Sequence, residues 1–185
     1  GRKMSKSLGN GIDPLDVARD YGADAGRMAL IVGASPGLDT KISYDKIKGY
    51  KNFANKLWNI SRFVLSSTSI DLLPRPAQLS EKDTAILAES DAILAEVTKE
   101  IDEYRFHIAA EKLYHYVWHT FADIIIEESK PILANDADEE KISRDSRMWL
   151  LQELLRRSLI SLHPFMPHVT EELWSQLGEK KSINH

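Results

Sequence analysis

There is no cysteine among the 185 residues. Disulfides, thiolate metal sites and a cysteine nucleophile are excluded together, and the absence suits a reducing compartment, so the expected localisation is cytoplasmic. Nowhere does an apolar run approach the roughly 20 residues that span a bilayer, and the first residues hold no apolar stretch of the kind that directs secretion. No membrane partner is expected. No segment alternates polar and apolar residues for long enough to make a strand. What the sequence does have is a 43% hydrophobic content, enough to bury a core in one domain, or in one domain with a small appendage.

Net charge is small and its placement uneven. The net value of -4 argues against a polyanionic partner only until the distribution is read. Residues 1–12 carry Arg2, Lys3 and Lys6 with no acid, and residues 41–62 carry Lys41, Lys46, Lys48, Lys51, Lys56 and Arg62 against Asp45 alone. Residues 81–103 hold Glu81, Asp83, Glu89, Asp91, Glu96, Glu100, Asp102 and Glu103 against Lys82 and Lys99. Two basic patches therefore precede an acidic helix, which this pattern makes a solvated one.

Helical periods dominate. Asp13 before Pro14 predicts a helix start, with a stop at Gly22; Asp24 is positioned to cap a second helix ending near Gly33. The segment ASPGLDTKIS reads as a loop. Ser43 caps a long helix whose inward stripe, Ile47, Tyr50, Ala54, Leu57, Trp58, Ser61, Val64 and Leu65, recurs at threes and fours. DLLPRPAQLS ends it. Ser80 and Asp83 predict a capping box for the next helix, a further helix covers about 107–130 and stops at Pro131, and another covers about 144–162. HPFMPH breaks that one, and Pro167 starts a last helix that closes at Gly178. The expected architecture is all-α: residues 1–42 as a loop with a small helical connector, and residues 43–185 as an antiparallel helix bundle.

Four sequence blocks carry a resemblance. KMSKSLGN, IDPLDVARDYGADAGRMAL, NFANKLWNISRFVL and HPFMPHVTEELW occur here in the order seen in class I aminoacyl-tRNA synthetases of the valyl, isoleucyl and leucyl branch. GASPGLDTKIS and GYKNFANKLWN look most like the valyl members. The resemblance implies the C-terminal part of such a ligase, a KMSKS loop joined to an anticodon-binding bundle. No His-x-Gly-His motif occurs, so the chain is expected to be a fragment that does not aminoacylate alone. ATP with magnesium is implied for the full-length enzyme, no cofactor for the chain by itself, and valine tRNA as partner with no protein partner required. The alternatives are the same region of an isoleucyl or leucyl member, or an unrelated all-α interaction module whose basic helix docks an acidic protein.

For the loop, the resemblance assigns Lys6 to the pyrophosphate that leaves ATP, with Lys3 as its partner. Met4, Ser5 and Ser7 complete the expected nucleotide contact, and Gly9 and Gly11 give it hinge freedom. For the bundle, Lys48, Lys51, Asn52, Asn55, Lys56, Asn59, Arg62 and Phe63 fall on one half of the long helix at about 100° per residue. Cations suit phosphates, amides suit base edges, and Phe63 or the Arg62 plane suits an unstacked base; the bland counterpart is a solvated face with Phe63 packed on a neighbour. Phe53 and Trp58 lie nearer the apolar stripe and are expected in the core. Arg19, Arg27 and Lys41 are candidate phosphate contacts in the connector, and Arg27 equally suits a salt bridge to Asp24 or Asp20. His107, Glu111, His115 and His119 step along one helix without a further ligand, which reads as a polar seam and predicts no metal.

Overall fold

The computed structural model describes residues 4–34, 37, 39–69, 71–135, 137, 141–178, 182 and 183. Its helices are α1 (Pro14–Tyr21), α2 (Ala23–Ile31), α3 (Tyr44–Ser67), α4 (Glu81–Asp102), α5 (Phe106–His115), α6 (Ile126–Leu133), α7 (Lys141–Leu162) and α8 (Pro167–Gln176), with a π segment, Tyr116–Ile125, joining α5 to α6. Among the described residues there is no strand. The all-α expectation holds.

Side-chain pairs fix the helix directions. Tyr50 meets Tyr114, Phe53 meets Trp118 and Lys56 meets Asp123, so α3 runs parallel to the rod of α5, the π segment and α6. Glu96 pairs with Lys112, which makes α4 antiparallel to that rod, while Asp83 with Arg147 and Asp91 with Arg157 make α7 parallel to α4. Successive long helices therefore alternate in direction. Helix α7 is the axis of the bundle: it touches α3, α4, α5, α6 and α8, and it buries Leu150, Leu151, Leu154, Leu155, Leu159 and Leu162 around its circumference. Packing on most sides explains why its apolar residues form a wider band than the single face a surface helix shows.

The polar interior of α7 fixes its register. Arg147 and Asp83, 1% and 0% exposed, form a buried ion pair, in which Arg147 Nε donates to Asp83 at 2.7 Å and an Nη donates to the Ser129 hydroxyl at 3.0 Å. Ser146 donates to the other Asp83 oxygen at 2.7 Å. Asp83 is thus interior, not part of a solvated acidic face. Ser80 caps α4 by accepting from the Asp83 amide at 3.1 Å, but its own amide is taken by Ser146 at 3.0 Å. That frees the Asp83 carboxylate from the reciprocal capping-box bond for Arg147. One turn further along α7, Gln152 holds the loop after α3 through both ends of its amide: it accepts from the Leu73 amide at 2.8 Å and donates to the Ser69 carbonyl at 2.8 Å.

Two expectations about helix ends change. Asp24 does not cap α2, whose N-cap is Gly22 at φ +91°; the carboxylate reaches α8 instead, accepting from the amides of His168 and Val169. Pro131 does not stop the rod, which continues to Leu133; so close to the helix end, the proline removes one backbone bond and leaves the rest intact. The middle of the rod is π-helical, a wider winding that positional spacing alone does not reveal. Elsewhere the predicted signals stand: Asp13 caps α1 by accepting from the Leu15 amide at 2.8 Å, and Ser43 caps α3 by accepting from the Lys46 amide at 3.2 Å.

The connector sits on the start of α3. Val17, Ala25, Ala29 and Ile47 make a small apolar cluster of their own, while Met28 enters the main core. Gly26 is needed here, because a Cβ at that position would stand 2.9 Å from a Val17 methyl.

Candidate nucleic-acid interface

Helix α3 divides sharply. Ile47, Phe53, Leu57, Ile60, Ser61 and Val64 are buried, and the Phe53 ring packs 4.9 Å from Tyr114 and 6.1 Å from Trp118. Ser61 is no exception to the apolar side, since its hydroxyl donates back to the Leu57 carbonyl at 3.0 Å. On the opposite side Lys48, Lys51, Asn52, Asn55, Asn59 and Arg62 are exposed, while Lys56 and Phe63 are half-buried. The helix does bring the expected residues to one flank.

Their commitments differ. Lys51 donates to the Asp20 carbonyl at 2.9 Å and lies 5.8 Å from the Tyr21 ring, so it also ties α3 to α1. Lys56 pairs with Asp123 at 2.9 Å and sits 5.5 Å from the Trp118 ring; the hydrogen bond from Lys56 holds the Asp123 carboxyl below its ordinary value. Lys48, Asn52, Asn55, Asn59 and Arg62 have no hydrogen bond or ion pair among the described residues. Phe63 packs against the main core.

Trp58 corrects the sequence reading. It was expected in the core, yet it is 40% exposed. The reason is angular: position 58 lies about 100° around the helix from the buried Leu57, three residues after Asn55 and four before Arg62. Asn55, Trp58, Asn59 and Arg62 form one continuous strip, with the aromatic ring between amides and a guanidinium. The spacing to Asn55 and Arg62 was the signal that could have found it.

The connector contributes less than expected. Arg19 is engaged by Asp16 at 2.9 Å and Asp20 at 2.8 Å. Arg27 reaches neither Asp24 nor Asp20; it donates to the carbonyls of Phe165 at 3.1 Å and Pro164 at 2.8 Å, which removes it from phosphate contact. Lys41 stays exposed. His115 and His119 stack at 5.6 Å, His119 stands 3.5 Å from Asp123, and among the described residues no three acids or histidines converge as metal ligands.

In the N-terminal stretch Lys3 lies outside the described residues, as does the side chain of Lys6. Around them, residues 6–8 form a 3-10 turn. Asn10 accepts from the Ser5 amide at 2.9 Å, the hydroxyls of Ser5 and Ser7 lie 3.1 Å apart, and Gly9 turns the chain at φ +59°. Met4 and Ser7 are exposed and Ser5 half-buried.

Comparison with known proteins gives this helical bundle and its N-terminal stretch a family. The profile described as "Anticodon-binding domain of tRNA ligase" matches residues 83–185, and that of "tRNA synthetases class I (I, L, M and V)" matches residues 1–43. The chain belongs to the anticodon-binding domain family of the tRNA ligases. Within it, the chain is 43% identical over 189 residues to the valine–tRNA ligase of Lactobacillus acidophilus and 40% identical over 197 residues to that of Aquifex aeolicus, matching 99% and 100% of itself. It spans 21% and 17% of those two relatives, about a fifth of the length of the curated relatives it matches. Among solved structures, Mycobacterium tuberculosis methionyl-tRNA synthetase bound by methionyl-adenylate superposes with a TM-score of 0.80 at 24% identity, over 96% of this chain and 36% of that one. The ternary complex of Agrobacterium radiobacter LeuRS with tRNA and LeuAMS superposes at 0.71 and 23% identity, over 99% and 21%. These likenesses show the fold.

Proposed function

We propose that the chain is the tRNA-binding part of a valine–tRNA ligase, with α3 contacting the anticodon loop and the N-terminal turn serving the ATP chemistry. The observation that carries this reading is the strip Asn55, Trp58, Asn59 and Arg62, extended by Asn52 and Lys48: exposed amides, a ring and cations without structural duties. Amides read base edges, a ring or guanidinium plane stacks an unpaired base, and cations neutralise phosphates. The identity of 43% to a valine–tRNA ligase over nearly the whole chain supports valine as the amino acid.

In that ligase the carboxylate of valine attacks the α-phosphate of magnesium-bound ATP, and pyrophosphate leaves. Negative charge grows on the leaving group, so a cation placed there binds the transition state more tightly than the ground state. Lys6, with Lys3, is assigned that role, and Ser7 and the backbone amides of the turn orient phosphate oxygens. A hydroxyl of the tRNA's terminal ribose then attacks the carbonyl of the valyl adenylate, taking the acyl group as AMP leaves.

Filter binding of the chain to valine tRNA transcripts tests the reading. A preference for valine tRNA is expected, with log affinity falling against log salt by about 0.7 per phosphate neutralised. Preference for an isoleucine or leucine tRNA would move the assignment within the branch. No complex at low salt would refute tRNA binding, and a complex with an acidic protein in its place would favour an interaction module.

A further inference from the structure

Helix α2 reaches the last helices of the chain with two side chains of opposite charge. Asp24 and Arg27 stand three positions apart and so share one face. The Asp24 carboxylate, 6% exposed, accepts from the His168 amide at 3.3 Å and the Val169 amide at 2.7 Å. These are among the first amides of α8, whose own N-cap residue, Met166, supplies no side-chain bond. Arg27 donates Nε to the Phe165 carbonyl at 3.1 Å and an Nη to the Pro164 carbonyl at 2.8 Å, both in the turn between α7 and α8. A carboxylate thus satisfies orphan amides at a helix start while a guanidinium satisfies the carbonyls just before it.

Packing does not require this contact. Ala25 and Ala29 already lie against Val17 and Ile47, and Met28 against the main core. Apolar burial is non-directional and tolerates sliding and rotation. Four directional bonds at a second point on α2 remove that freedom. Because every partner is a backbone atom, the clamp fixes the position of the α7–α8 turn itself. Helix α1 precedes α2 with Gly22 alone between them and is also tied to α3 by Lys51, so the clamp is a second anchor for the frame of α1 and of the turn at residues 6–8 upstream of it.

We propose that Asp24 and Arg27 are positioning residues that hold the N-terminal turn in fixed register with the RNA flank of α3, so that an RNA gripped by the bundle presents its acceptor end to the nucleotide chemistry. This rests on the function proposed above. Its signature is a split between half-reactions: amino-acid activation, which needs no RNA, survives loss of the clamp, while transfer to tRNA suffers.

Two measurements test it. The chain has no cysteine, so spin labels at Leu15→Cys in α1 and Ser175→Cys in α8 report one distance cleanly. Both positions are exposed. A narrow distance distribution is expected in the otherwise native chain and a broad one in Asp24→Ala/Arg27→Ala, with helicity and cooperative melting kept. Asp24→Asn, which retains one acceptor oxygen, gives an intermediate width and guards against outright unfolding of the double variant; an unchanged width in every variant overturns the proposal. In the full-length ligase, Asp24→Ala/Arg27→Ala is expected to keep valine-dependent pyrophosphate exchange and tRNA affinity within about twofold while aminoacylation kcat falls about tenfold or more. Equal losses in exchange and aminoacylation, or no loss in either, overturn it. A parent ligase that charges a different tRNA refutes the functional reading instead and leaves the spin-label result standing.

Discussion

Two arginines on two helices of the same bundle are used in opposite ways. Arg147 on α7 lies wholly inside, paired with Asp83 and bonded to Ser129; Arg62 on α3 stands in water with no partner among the described residues. A buried cation must be fully matched or the fold suffers, whereas an exposed cation without a match contributes almost nothing to folding. The comparison separates charges that hold the molecule together from charges left available to something else. Composition cannot make that separation, because both residues count equally towards a net charge of -4.

The comparison breaks most visibly at the interior pair. Arg147→Ala leaves Asp83 buried and unpaired, and is expected to lower stability by about 3–5 kcal/mol, read as a shift in the urea midpoint. Next comes Gln152→Ala, which strips the loop after α3 of its anchors and leaves the half-buried Leu73 amide without its partner; a loss of roughly 1–3 kcal/mol is expected in the same assay. On the exposed strip the larger effect moves from folding to binding. Trp58→Ala, at a ring 40% exposed, is expected to lower stability by less than the interior changes, by about 1 kcal/mol, yet to weaken tRNA binding by about 1–3 kcal/mol if its ring stacks a base. Phe63→Ala should lower stability as well, since that ring packs on the core.

Alkaline pH gives the mildest perturbation. Burial, reinforced by Tyr114 and Glu111, pushes the Tyr50 hydroxyl up to about 12 from an ordinary 10.0. A group whose folded value is raised keeps its proton in the folded state after the unfolded chain has lost it, so its stabilising contribution is complete below pH 10 and is lost as the pH climbs towards 12. Melting temperature should therefore fall across that window, and Tyr50→Phe should flatten the fall. A slope identical in both proteins would place the alkaline loss elsewhere.

How much of this was legible in the sequence follows from the physics of each signal. Caps such as Asp13 and Ser43, and breakers such as Gly22 and HPFMPH, are local, and the helices they bound appear where the pattern puts them. The flank of α3 follows from geometry within one helix, so its members emerge together. What sequence position could not give is anything decided by a distant partner. Asp83 looked like one more acid on a solvated face until Arg147 met it 64 residues away, and Asp24 looked like a local cap although its amides lie 144 and 145 residues on. Trp58 fails for a different reason. Its hydrophobicity outweighed its angle, and the angle was right.

The claim at the centre is that the unpartnered strip on α3 is an RNA surface. Its most direct test is Arg62→Ala, measured for both valine tRNA affinity and thermal unfolding. Affinity is expected to fall about tenfold, in the range of a lost charge-assisted contact, with the melting temperature unmoved. Unchanged affinity in a folded variant would contradict the account.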